Sequence, residues 1–247
     1  MVIKKLNMKH SIITLIMFFL SCINIGAQNT VKGKVLYKYS VNDKDIGKTK
    51  NQAVLNKFKN SLKKSSDKIS YQLLFNNNES SYKIVKSLVS ENDVFFTYAA
   101  LITGGSEEFY LNKESKERLK KVEFIGEKFI VKSMVNDKWI LIQTTKKIGD
   151  YTCYKAILDQ TSMQQKNKIK LPEITAWYCP KIPLMFGPKG YGNLPGLILS
   201  LRVGPINYIA SKIELNSTEE IVIKRPKEGN LITEEEFNNL LVKIDKK

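Results

Sequence analysis

The sequence predicts a mainly β protein of the α+β class, a large curled antiparallel sheet or open half-barrel with one early helix and a C-terminal helix. Three observations carry this. Apolar and polar residues alternate through most of the chain after Val31, turn residues separate the alternating runs, and only two stretches change to helical spacing. A chain of 247 residues with 43% hydrophobic content can bury the core of one domain.

The elements follow in order. Val35, Tyr37, Tyr39 and Val41 fall at every second position, as a half-buried strand requires. Ile46, Ala53, Leu55, Phe58 and Leu62 then recur among Lys and Asn at helical spacing, which predicts a surface helix over 49–64 covering one face of the sheet. Alternation resumes over 69–75 and 80–89, with Asn76-Asn77-Asn78 as the turn between them. The Phe- and Tyr-rich run 93–101 is read as a strand, followed by strands over 108–111, 118–124, 128–135 and 138–145. Gly126-Glu127 and Asn136-Asp137 are expected to close hairpins between consecutive strands. Further strands are expected over 151–158, 174–178, 197–203, 208–215 and 219–224, for roughly ten to twelve strands in all. Thr233-Glu234-Glu235-Glu236 is a capping box that opens a last helix to about Val242.

The first residues carry a different signal. Lys4, Lys5 and Lys9 precede an apolar run from Ile12 to Leu20, the pattern of a secretory signal peptide over 1–27. A spanning anchor needs roughly 20 apolar residues, and Asn24 and Gly26 interrupt the run too soon. Cleavage after Ala27 competes with a lipobox-like Phe19-Leu20-Ser21-Cys22, whose Phe19 and continuing apolar stretch fit less well. The expected mature product, 28–247, is a single β-rich domain, exported to the periplasm or outer membrane or secreted. Its formal charge falls from +16 to +13 with the three lysines. Such a surface attracts anionic neighbours, and nucleic acid is not expected outside the cytoplasm. Solubility alone also accounts for the lysines.

Two cysteines, Cys153 and Cys179, remain after Ala27, and an oxidising compartment would allow them one disulfide. Sequence leaves open whether they come close enough. The only histidine, His10, lies inside the leader. Its loss removes imidazole-activated serine and cysteine nucleophiles, and with them the usual zinc sites. No metal or cofactor is expected, and any catalysis would rest on carboxylates, lysine or tyrosine.

One segment stands apart. Between Thr175 and Leu199 the chain holds four prolines and four glycines among large apolar side chains. Leu194-Pro195-Gly196-Leu197 carries the type II turn signature, and its flanks are too apolar for a solvated loop. A rigid loop packed against the sheet, leading into a buried strand, is expected. Here the chain resembles the GLPGLI (Porph_ging) family of Bacteroidetes. The resemblance rests on Ala176-Trp177-Tyr178, Ile182-Pro183, Gly187-Pro188, Tyr191 and Leu194-Pro195-Gly196-Leu197-Ile198. Upstream, Gly126-Glu127-Lys128-Phe129, Trp139 and the block from Ile148 to Ala156 add to it, so that it covers about 125–200. Asn193 stands where the family has its first glycine, a change that a left-handed turn tolerates. The resemblance implies an exported or outer-membrane-associated protein and supplies no reaction.

The candidate ligand-binding residues are Trp177, Tyr178, Phe186, Tyr191, Leu194 and Pro195, because aromatics stack on sugars and apolar ligands. Ordinary core packing explains them equally. Lys155 and Lys181 are candidates for an anionic ligand, and Asp150, Asp159 and Glu173 for a glycosidase-type carboxylate pair. No catalytic residue is assigned. The expected function is a non-enzymatic binding or carrier module at the outer membrane, for an apolar or anionic envelope ligand or an outer-membrane protein. The alternatives are a carboxylate-based envelope hydrolase and a structural partner of an outer-membrane transporter.

Overall fold

The computed structural model describes residues 31–42, 52–85, 93–162 and 171–245. The predicted leader, the residues before Gln52 in the early helix and the end of the 80–89 run lie outside them. The strands are β1 (Gly33–Val41), β2 (Ser70–Phe75), β3 (Glu79–Val85), β4 (Glu108–Asn112), β5 (Glu117–Phe124) and β6 (Glu127–Met134), then β7 (Trp139–Ile148), β8 (Tyr151–Leu158), β9 (Ile174–Cys179), β10 (Leu197–Val203), β11 (Ile206–Leu215) and β12 (Asn230–Thr233). Three α-helices accompany them among the described residues: α1 (Gln52–Ser65), α2 (Val94–Ile102) and α3 (Glu234–Asp245). All the strands join one sheet in the order β12-β6-β5-β4-β3-β2-β1-β11-β10-β9-β8-β7. Every pairing is antiparallel except that of β12 with β6.

The order explains the curl. β6 lies at one flank and β7 forms the opposite edge, yet Met134 and Trp139 are only five positions apart. Five residues reach at most about 18 Å, so the two flanks must approach one another without pairing. The sheet is an open roll, as expected, and Asn136-Asp137 crosses its seam instead of closing a hairpin. Turn chemistry marks where a chain bends; it does not say which strand comes next in space. By contrast, the β5–β6 turn is local, with Ile125 at φ 52° and Gly126 at φ 76°.

Two other expectations change. Residues 93–101 form a helix, not a strand. The Asp93 side chain caps it by accepting from the Phe95 and Phe96 amides at 2.9 and 3.2 Å, and a short all-apolar run carries no periodicity to oppose that cap. Residues 219–224 run without strand pairing, and β12 forms later, at 230–233. The C-terminal capping box is present: the Thr233 amide donates to the Glu236 carboxylate at 2.7 Å, and the Glu236 amide to the Thr233 hydroxyl at 3.2 Å.

The main core is unusually rich in tyrosine. Tyr71 stacks on Tyr82 at 5.4 Å and meets Tyr208 edge-on at 5.6 Å. Several tyrosine hydroxyls in this core meet carbonyls: Tyr208 donates to the Thr103 carbonyl at the end of α2, Tyr39 to Leu62 of α1, and Tyr37 to Ile198 of β10, whereas the buried Tyr82 hydroxyl has no partner among the described residues. Burial raises the pKa values of Tyr37, Tyr39, Tyr71, Tyr82 and Tyr208, so these hydroxyls stay protonated at ordinary pH. Leu62 is fully buried in the same cluster, so α1 does cover one face of the roll.

Candidate functional site

The Pro/Gly segment leaves β9 at Cys179 and re-enters the sheet at Leu197. Ile182, Leu184 and Phe186 turn into the main core, while Leu194 joins a second cluster with Tyr178, Ala176 and Leu201. Main-chain bonds fasten it, including Ile198 N–H to the Phe186 carbonyl at 2.9 Å and Leu197 N–H to the Ile182 carbonyl at 2.9 Å. The bend at Pro195 is tighter than the expected type II turn, because the Gly196 amide donates to the Leu194 carbonyl, two residues back. Gly196 sits at φ 153°, where an added Cβ would lie 2.3 Å from the Cys179 carbonyl oxygen. Asn193, in the place of the family glycine, adopts φ 63°, the left-handed conformation that asparagine tolerates.

The same loop closes the seam. The Asp137 carboxylate accepts from Arg118 of β5 at 2.6 Å and from the Gly192 amide at 3.0 Å. Arg118 Nε also donates to the Gly190 carbonyl, and Trp139 Nε1 to the Gly192 carbonyl at 2.8 Å. Tyr191 packs edge-on against Trp139, its hydroxyl pushed up to about 12 by burial and then by the Asp137 charge. Residues from β5, the crossing and β7 thus converge on one loop turn. Nothing in the local sequence of Arg118 or Asp137 announces this, because the contacts span up to 72 positions.

The six candidate binding residues do not line one cavity. Phe186, Leu194 and Tyr178 are buried as core, Pro195 is exposed, and Trp177 and Tyr191 are half-buried in different clefts. The Tyr191 cleft, about 230 Å³, has its charges largely cross-paired, with Glu107 held by Lys189 at 2.7 Å and by Lys120 at 3.9 Å. A larger concavity of about 650 Å³ mixes Lys83, Lys121 and Lys128 with Glu108 and Glu123 and carries no aromatic ring.

The Trp177 cleft differs. Directly opposed residues on neighbouring strands share a face, and the register places Thr175 opposite Arg202, Arg202 opposite Asn207, and Asn207 opposite Ser40. One polar row therefore crosses β9, β10, β11 and β1. Two positions along β9, Trp177 points the same way, with Lys155 of β8 opposite it. The Lys146 ammonium lies over the Trp177 ring, 4.3 Å from its centre. Burial lowers the Lys146 pKa, which marks an ammonium partly withdrawn from water. These residues line about 510 Å³. Three cations and an indole face it, with no carboxylate among the lining residues; Glu173 pairs with Arg202 from outside at 2.9 Å. Lys181 is exposed on the loop and is not part of the lining. Lys146, Arg202 and Asn207 escaped the sequence reading, although strand parity relative to Trp177 would have found Arg202 once the register was known.

Of the three candidate carboxylates, Asp159 and Glu173 flank the facing ends of β8 and β9, and Asp150 lies at the far end of β8. Asp150 and Asp159 are nine residue steps or roughly 30 Å apart along the strand. The Thr175 hydroxyl, followed by Arg202, lowers the Glu173 pKa, and Thr161 lowers that of Asp159, so both are held as carboxylates rather than raised as general acids. Cys153 and Cys179 are buried thiols on adjacent strands, next to the opposed pair Tyr154 and Tyr178. Burial, then Cys179, pushes the Cys153 thiol up to about 12, which disfavours a thiolate nucleophile.

An open antiparallel roll with a buried Pro/Gly loop and one basic, aromatic cleft is the class these features define. The family described as "Protein of unknown function (Porph_ging)" matches residues 159–200, the stretch that runs into β9, the loop and the first half of β10, and so bears out the resemblance there. No curated protein matches the chain. Among solved structures, PNGF-II in its C2 and P21 crystal forms is similar, with a TM-score of 0.51 and 13% identity in each. The likeness covers 87% and 86% of this chain and 33% of the PNGF-II chain. The chain thus spans about a third of that protein, and the likeness is one of fold.

Proposed function

We propose that this chain is a non-enzymatic binding module of the cell envelope that takes an anionic saccharide, a sugar ring bearing carboxylate or phosphate, in the Trp177 cleft. The observation that carries the reading is the juxtaposition of the Trp177 ring with Lys146 and Lys155, beside the Arg202–Asn207–Ser40 row. A sugar face stacks on indole, its anionic group pairs with ammonium, and its hydroxyls meet the serine, threonine and asparagine groups. Asp159 and Glu173 are both held below the usual carboxylate range, so neither is the raised acid that turnover by a carboxylate pair needs, which supports binding over turnover.

The chain holds two tryptophans, and Trp139 is committed to the seam, so a ligand-dependent change in emission reports on Trp177. Titration with an acidic oligosaccharide should quench part of that emission, and in isothermal titration calorimetry Trp177→Ala should weaken binding about tenfold or more. An unchanged affinity in Trp177→Ala would remove the cleft from consideration. The envelope placement rests on the leader pattern and on the resemblance. Protein recovered from its source should have an intact mass lacking residues 1–27, and a cytoplasmic product that retains them would overturn that placement.

A further inference from the structure

Helix α2 is apolar on both sides. Its nine residues, VFFTYAALI, include no charge. Phe96 and Ala99 pack into the core, yet Val94, Tyr98 and Leu101 are 77%, 49% and 64% exposed, with Phe95 beside them at 40%. Positions i, i+4 and i+7 make one stripe, and large side chains are rarely left so in water without a partner.

The surroundings indicate what that partner is. The Lys64 ammonium of α1 lies 4.9 Å from the centre of the Phe95 ring, and Lys63 shares the last turn of α1. Lys57, one heptad before Lys64, faces the same way and is exposed. Asp93, the carboxylate that caps α2, is paired with Lys68 at 2.7 Å, which offsets its charge. Asp67 is exposed near Lys38, at 4.0 Å. A helix whose backbone bonds are satisfied internally, with an apolar stripe and a margin of lysine, has the makings of an interfacial element.

We infer that the exposed face of α2, with the lysines of α1 beside it, docks on an anionic lipid surface. Val94, Phe95, Tyr98 and Leu101 enter the headgroup boundary, and the ammonium groups meet lipid phosphates. This surface is separate from the Trp177 cleft and stands without it.

The test is co-sedimentation of the processed chain with vesicles of phosphatidylcholine, with or without phosphatidylglycerol. Partitioning should rise about tenfold with the anionic lipid and fall with salt. The double variant Phe95→Ser/Leu101→Ser should partition about tenfold less while keeping the near-UV dichroism of the tyrosine core, since neither side chain is buried. Lys57→Glu/Lys64→Glu should remove the preference for anionic vesicles, and Trp177→Ala should leave it unchanged. Equal partitioning onto both vesicles, or partitioning indifferent to these substitutions in folded protein, would overturn the inference.

Discussion

Phe186→Ala is expected to destabilise the domain by about 3–5 kcal/mol, the range for truncating a fully buried phenylalanine. Phe186 is 0% exposed and belongs to the main core, and its carbonyl accepts from Ile198 of β10. The backbone on either side is fixed: Gly187 lies so close to Ile198 that an added Cβ would sit 2.7 Å from its side chain. The walls therefore have little freedom to collapse into the vacated space, which places the cost toward the upper part of the range. In a thermal melt this corresponds to a midpoint roughly 10 °C lower. A loss under about 1 kcal/mol would mean that the loop lies on the surface of the core instead of forming part of it.

Asp137→Ala should cost about 3–5 kcal/mol, by a different mechanism. The Asp137 side chain is 8% exposed and that of Arg118 17%, so removing the carboxylate leaves a guanidinium facing little water and the Gly192 amide without its acceptor. Arg118 keeps its bond to the Gly190 carbonyl, which softens the loss. Asp137→Asn, which can still accept from the Gly192 amide, should lose less. Urea denaturation should show the midpoint falling in that order with an unchanged slope, because the surface exposed on unfolding is the same. Equal stability in all three proteins would mean that the seam is not held at this point.

Much of the scaffold was legible because its signals are local. Alternation in Val35, Tyr37 and Tyr39, the turn at Asn76-Asn77-Asn78, and the Thr233–Glu236 box all act within a few residues. The loop was legible for the same reason: prolines and glycines among apolar side chains are compatible only with a packed, bent backbone. What was hidden depends on register or on distant partners. Val94 to Ile102 lacks a period that separates helix from strand, and only the Asp93 cap tips the balance. Asn136-Asp137 reads as a hairpin turn until the sheet order sends β6 and β7 to opposite flanks. Trp177 was visible as an aromatic and Lys155 as a lysine, but Lys146 reaches the indole only through the β7–β8–β9 register, with its shift between Ile142 and Thr145. Half of the suspected binding aromatics proved to be core, since a large ring beside a proline looks the same in sequence whether it faces a ligand or a neighbour.

The most direct measurement is the affinity of the folded chain for an acidic oligosaccharide relative to its neutral counterpart, before and after Lys146→Ala/Lys155→Ala. If Trp177 and its cations form the site, the acidic ligand is preferred by about tenfold or more at low salt, and the double variant loses that preference while still binding weakly through the ring. Equal affinity for the two ligands, or a preference that survives without both lysines, would contradict the account.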